Sequence, residues 1–98
     1  MAYQDHIETV PGKQTKDILI YSLSTCFWCD KAKEFLGKLG VSYRFLVVDQ
    51  LEEKDQAEAL DEVVKYNPDA SFPTIVIHNG KKVMIGYDEE GLKELANE

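Results

Sequence analysis

Cysteine is scarce in this chain: its 98 residues contain two. Two are too few for the bridged framework that staples a small secreted domain. Positive charge is also in deficit, with 11 Lys and Arg against 18 Asp and Glu and a net charge of −7. Nucleic-acid binders carry a basic footprint, so no nucleic-acid partner is expected. No apolar run approaches the roughly 20 residues that span a bilayer. The polar stretch Met1-Ala2-Tyr3-Gln4-Asp5-His6 has no basic segment ahead of an apolar core. Neither a secretory leader nor a membrane partner is therefore expected, and the default compartment is cytoplasmic. Internal repeats, linkers and low-complexity tracts are missing. So are a Ser–His–Asp set, a phosphate loop and a paired-carboxylate site. What remains is an ordinary globular balance, 44% hydrophobic and 30% charged, with length for one core.

The two cysteines lie three apart in Cys26-Phe27-Trp28-Cys29. They follow the apolar run Ile18-Leu19-Ile20-Tyr21 and open a segment with helical spacing. Residues three apart share one face of a helical turn, where two sulfurs can close a small disulfide. A helix start presents unpaired N–H groups and the positive end of the backbone dipole. Both favour thiolate over thiol, so Cys26 reads as a nucleophile and the pair as a redox dithiol.

Around this motif the pattern is regular. Residues 1–16 form a polar lead broken at Pro11-Gly12, with His6–Val10 as a candidate added edge strand. Asp17 to Ser22 reads as a buried strand. Thr25 is the expected cap of the next helix, whose inner positions are Trp28, Ala32, Phe35, Leu36 and Leu39. Gly37 weakens it, and Gly40 stands where a left-handed terminator belongs. Tyr43 to Val48 is a second strand, ended by Asp49 and Gln50. Glu52 to about Tyr66 is a second helix, with Leu60, Val63 and Val64 inward, stopped by Asn67-Pro68-Asp69. Thr74 to His78 is a third strand. Asn79-Gly80 signals a hairpin into a fourth, Lys82 to Ile85. Gly86-Tyr87 turns into a last helix, capped by Asp88, with Leu92, Leu95 and Ala96 inward. A helix between the first two strands implies that they are parallel. The sum is an α/β domain: a four-stranded mixed sheet flanked by three helices, with helices on both faces.

Three separated motifs in this order resemble the glutaredoxin family of the thioredoxin-like fold. Thr25-Cys26-Phe27-Trp28-Cys29-Asp30-Lys31-Ala32-Lys33 is similar to the family's C-P-Y-C and the basic turn after it. Ser71-Phe72-Pro73-Thr74 looks like T-V-P ahead of the third strand. Gly86-Tyr87-Asp88 matches the second half of G-G-x-D. The resemblance covers roughly residues 17–96, leaving 1–16 as an N-terminal extension and 17–98 as the glutaredoxin-like domain. It implies a cis Pro73 facing the sulfurs, with the Phe72 backbone free to pair with a bound peptide like an added strand. It also implies that Gly86, Tyr87 and Asp88 help hold the γ-glutamyl end of glutathione. Several positions depart from the pattern. Leu23 stands where many members carry lysine, Ala70 where they carry Arg or Gln, Ile85 replaces the first glycine, and Phe27 replaces proline. The variant looks closer to divergent glutaredoxin-like proteins of anaerobes and archaea.

The resemblance implies a dithiol disulfide oxidoreductase, serving electron transport and cell redox homeostasis as a monomer with no bound cofactor. Cys26 attacks a protein or small-molecule disulfide, and Cys29 resolves the mixed disulfide. Glutathione, another small thiol or a reductase would supply the electrons. Lys31 and Lys33 are candidates for added positive potential, or plain solvated charges. Trp28 reads either as a wall of the substrate groove or as a core anchor, and Tyr87 carries the same two readings. Two alternatives keep the fold and change the role. One is a [2Fe–2S] carrier bridging two copies through Cys26 and two small thiols. The other is a thioredoxin-like carrier fed by a reductase. Two buried packing cysteines, or a zinc site that would need His6 and His78, are the bland readings. No metal ligand is assigned. The acidic runs around Glu52 and Asp61 read as solvated helix faces.

Overall fold

The structure, a computed structural model, describes residues 3–13 and 17–97, without the side chains of 96 and 97. Five strands and three helices follow in the order β1 (Glu8–Val10), β2 (Ile18–Ser22), α1 (Phe27–Leu39), β3 (Tyr43–Val47), α2 (Glu53–Tyr66), β4 (Thr74–Ile77), β5 (Lys82–Ile85) and α3 (Glu89–Asn97). The sheet order is β1-β3-β2-β4-β5. The β2 and β3 strands are parallel, as the α1 crossover requires. All other pairs are antiparallel. The added edge strand is present: β1 lies along β3 with Thr9 opposite Arg44.

The apolar residues sort by strand alternation onto two faces. Ile18, Ile20, Ile75 and Ile77 face α1 and α3, meeting Ala32, Leu36, Leu92 and Leu95 in one core. Tyr21, Leu46 and Val76 face the other way, against Ala59 and Val63 of α2 and Tyr3 of the short turn Tyr3–His6. Val64 is not on the inner stripe; it is exposed, and Ala59 takes the fully buried place one turn before Val63. Ala96 lies outside the described side chains.

Strand ends differ slightly from the expected ones. β3 stops at Val47, and Val48–Gln50 form a 3-10 turn. β4 stops at Ile77, because His78 and Asn79 take positive φ of 51° and 58°. The hairpin exists with Ile77 opposite Lys82, so its loop spans His78 to Lys81 rather than the two residues Asn79-Gly80. Gly40 ends α1 in the left-handed region, as its position predicts. Gly12 has a packing reason to be glycine. A Cβ there would sit 2.8 Å from the Gly40 carbonyl oxygen, where Lys13 docks the N-terminal segment against Val41.

Register decides where the chemistry gathers. Tyr21 pairs with Thr74, and Thr74 with Ile85. The end of β2, the start of β4 and the end of β5 therefore share one end of the sheet. The loops that leave there carry Cys26, Pro73 and Gly86.

Candidate redox site

The Cys26–Cys29 pair is closed as a disulfide at the start of α1, with Cα atoms 5.2 Å apart. Cys26, not Thr25, is the N-cap. Its backbone is extended (φ −97°, ψ 107°), and its sulfur accepts the Cys29 N–H at 3.1 Å. Its carbonyl accepts the Asp30 N–H at 3.1 Å. Thr25 would be the better cap by intrinsic preference, but it sits inside a turn closed by the Cys26 N–H on the Leu23 carbonyl at 3.3 Å. That turn is pinned from outside. The Ser24 N–H and hydroxyl both donate to the Asp49 carboxylate, at 2.9 and 2.7 Å. These bonds, led by the Ser24 hydroxyl, hold the Asp49 carboxyl below the usual carboxylate range.

The two sulfur-bearing residues are unequal. Cys26 is half-buried, whereas Cys29 is 0% exposed. Only the outer cysteine can be reached by a disulfide from solvent. The reading as two packing cysteines does not fit, because Cys26 is only partly buried, at the surface end of α1. His6 sits 3.8 Å from Asp55, and His78 is exposed in the hairpin loop. Among the described residues no three His, Cys, Asp or Glu side chains group as a metal site. One chain offers a single accessible sulfur, Cys26, so a bridged cluster of the kind expected as the alternative would take its other thiolates from a second copy and small thiols.

Four of the other expected site residues come together at the end of the sheet that carries the sulfurs. Trp28, Phe72, Gly86 and Tyr87 line an open groove of about 490 Å³. Trp28 is 54% exposed, so its ring is a groove wall and not a core anchor. It stacks on Tyr87 at 5.7 Å between centroids, with Phe27 edge-on at 5.1 Å. Such pairs add about 0.5–1.5 kcal/mol beyond area burial. Tyr87 also packs edge-on against Phe35, and its hydroxyl donates to Glu89 at 3.2 Å. Burial first, then that bond and the Glu89 charge, raise its phenol above the ordinary value. The Phe72–Pro73 bond is cis, and Pro73 is buried. Gly86 donates its N–H to the Pro73 carbonyl at 2.9 Å, which ties two groove walls together. Among the described residues, no hydrogen bond engages the Phe72 backbone. Asp88 caps α3, accepting the Gly91 N–H at 3.2 Å, so a carboxylate of the chain itself occupies that helix start. Lys31 lies over Phe27, but Lys33 turns away onto the Phe45 ring.

Two polar residues at this end escaped the sequence reading. By sequence, Asp49 ends a strand and Asn67 stops a helix. Asn67 is 1% exposed and bonds the Pro73 loop at several points. The clustering of Ser71 and Thr74 around Pro73 was the available signal.

Among the described residues, no helix is long and apolar enough to cross a membrane. A search of curated proteins finds no match. Among solved structures, the chain is 39% identical to the glutaredoxin of Methanosarcina mazei, with a TM-score of 0.83 and 96% of this chain and 90% of that one covered. It is 38% identical to the methanoredoxin of Methanosarcina acetivorans, with a TM-score of 0.82 over 89% of this chain and 90% of the other. A glutaredoxin of Archaeoglobus fulgidus follows at 34% identity and a TM-score of 0.76, over 85% and 88%. The glutaredoxin family model matches residues 18–83, which take in the Cys26–Cys29 pair and Pro73. With its thioredoxin-like sheet, its redox dithiol on a helix start and these matches, the chain belongs to the glutaredoxin family.

Proposed function

We propose that this protein is a dithiol disulfide oxidoreductase acting on disulfides of proteins or small molecules. One observation carries the reading: an accessible Cys26 caps a helix and is bonded to a fully buried Cys29. In the reduced protein the Cys26 thiolate, steadied by the Cys29 N–H, attacks one sulfur of a substrate disulfide. That bond breaks, the departing sulfur takes up a proton, and a Cys26 mixed disulfide forms. Cys29 then loses its proton and attacks the Cys26 sulfur. The second substrate half leaves as a thiol, and the Cys26–Cys29 bond closes. Two electrons have passed from the dithiol to the substrate. Trp28, Phe72, Gly86 and Tyr87 hold the substrate segment next to Cys26.

The reductant that reopens the bond is a small thiol or a reductase. The groove lining is aromatic and uncharged, and Leu23 and Ala70 supply no cation to a glutathione carboxylate. This favours a donor other than glutathione. The test follows NADPH consumption with a small disulfide as substrate. One arm contains glutathione and glutathione reductase, the other a thioredoxin reductase. Turnover with the reductase alone supports a thioredoxin-like carrier. Turnover with glutathione alone shows the missing cations to be dispensable. Turnover in neither arm, nor with a dithiol reductant, sinks the enzymatic reading. Iron content after anaerobic purification tests the cluster-carrying alternative.

A further inference from the structure

The loop that carries Phe72 and Pro73 at the sulfur-bearing end of the sheet is held by one buried side chain. Asn67 follows α2, and its own N–H closes that helix on Val63 at 2.7 Å. Its amide nitrogen donates to the Ser71 carbonyl at 3.1 Å, the Ser71 hydroxyl at 3.0 Å and Thr74 Oγ1 at 3.1 Å. Its amide oxygen accepts the Asp69 N–H at 3.2 Å, and its backbone carbonyl accepts the Ala70 N–H at 2.9 Å. Thr74 Oγ1, itself fully buried, donates to the Ser71 carbonyl at 2.7 Å. Every polar atom of the Asn67 side chain has a partner within the loop. A network satisfied in this way specifies one arrangement, since any slip would strand a buried polar group.

The loop needs such a fixture. Ala70 stands at φ 50°, in the left-handed region that non-glycine residues avoid. Strain of this kind persists where its surroundings over-determine it, and it concentrates at ligand clamps. Here the bond from the Ala70 N–H to the Asn67 carbonyl pins the strained residue. Downstream, the Pro73 carbonyl receives Gly86, so the placement of Pro73 also sets the opposite wall of the groove. Asn67 touches neither the sulfurs nor the groove space; its reach is through the loop.

We infer that Asn67, with Thr74, is a positioning residue. It fixes the Phe72–Pro73 loop so that an extended polypeptide beside a substrate disulfide can lie along it, which makes this network a determinant of protein over small-molecule substrates. The inference rests on the disulfide-exchange reading above. Hydrogen bonding between substrate backbone and loop, as in strand addition, requires the loop at one fixed height. A small disulfide that meets only Cys26 does not.

The experiment measures oxidation of the pre-reduced protein by two probes, hydroxyethyl disulfide and a short peptide closed by one disulfide. Acid quenching and alkylation count the remaining thiols. In Asn67→Ala the second-order rate constant with the peptide falls about tenfold, the scale of one lost buried hydrogen bond. The rate with hydroxyethyl disulfide stays within about twofold of the parent, as expected away from the altered site. The midpoint potential of the Cys26–Cys29 pair stays at the parent value. The double variant Asn67→Ala/Ala70→Gly separates placement from stability. Glycine relieves the left-handed strain, so its thermal midpoint recovers while the peptide rate stays low. Equal losses with both probes, or a peptide rate that recovers together with the midpoint, would overturn the inference. Should Asn67→Ala not fold, the isosteric Thr74→Val removes two bonds of the network, those of Thr74 Oγ1 with the Asn67 amide and the Ser71 carbonyl, and carries the same comparison. A parent protein inert to both probes would overturn the redox reading itself, a result distinct from loss in the variants alone.

Discussion

The unequal burial of the two sulfurs makes a pair of single substitutions sharply informative. Cys26→Ser puts serine at an N-cap, one of the best residues for that position. Its hydroxyl can accept the N–H of residue 29, as the sulfur does at 3.1 Å, and the site is half-exposed. Measured in reductant against reduced parent, its stability should shift by no more than about 0.5 kcal/mol. Cys29→Ser places a hydroxyl at a position with 0% exposure. Without a partner that costs about 1–3 kcal/mol. At about 4–8 °C per kcal/mol for a domain of this size, the thermal midpoint should fall by roughly 5–20 °C. Activity runs the opposite way in kind. Cys26→Ser should lose all disulfide reduction and form no adduct. Cys29→Ser keeps the attacking sulfur and loses the resolving one. It should accumulate a covalent adduct of one substrate half, visible by intact mass after exposure to a disulfide peptide. An adduct on Cys29 in Cys26→Ser, or a larger stability loss there than in Cys29→Ser, would refute the assignment of roles.

Trp28 is the sole tryptophan, lies between the two cysteines and is half in solvent. Its fluorescence should change when the disulfide is reduced, and an identical spectrum in both states would contradict the groove geometry. Asp49 has its carboxyl lowered chiefly by the Ser24 hydroxyl. A carboxyl lowered on folding adds stability above its ordinary titration range, and that part is lost as pH falls through the lower, folded value. Asp49→Asn should flatten this acid limb in unfolding titrations below about pH 4; an unchanged limb would show that the clamp carries no linkage. Leu36 is fully buried between α1 and the sheet. Leu36→Ala should cost about 2–5 kcal/mol in denaturant unfolding, and a loss under 1 kcal/mol would mean that α1 is not docked as described.

What could be read from the sequence was whatever follows a period or a local signature. The continuous apolar run marked β2 as a buried strand, and the 3.6-residue spacing placed Ala32, Leu36, Leu92 and Leu95 inward, where they meet Ile18, Ile20, Ile75 and Ile77. The edge strand β1 was legible, though only three residues long. Trp28 fits a core anchor by spacing and a groove wall by its place in the first turn of α1, and it stands on the groove. Errors arose where a local rule met a tertiary one. Thr25 outranks cysteine as a cap, but the Ser24–Asp49 bonds, across 25 positions of sequence, fix the turn one residue further on. Val64 neighbours Val63 and was drawn inward with it, although one helical position rotates a side chain by about 100°. The Asn67 network left no periodic trace, because its partners are loop atoms four and seven residues away.

Three of the four positions that depart from the family pattern, those outside the cysteine motif, explain why chemistry was easier to read than donor. Leu23 packs half-buried against the core around Tyr21 and Leu46. Ala70 packs partly against the same core and takes the left-handed turn into the Pro73 loop. Ile85 is 54% exposed on the outer strand and pairs with Thr74. Two of the three are thus spent on the fold, and the third adds an apolar surface next to Gly86. Apart from the Leu23 backbone carbonyl, which accepts the Cys26 N–H, none of them enters what makes the sulfurs unequal: the Cys26 cap, the burial of Cys29 and the Ser24–Asp49 clamp. Thiol exchange depends on the second set, because it needs a reachable thiolate and a shielded partner. Under the proposed function, choice of reductant depends on the first, because a peptide thiol with two carboxylates would need cations that those positions do not supply. The two sets share no side chain, so under the proposed function exchange chemistry and choice of reductant can change independently.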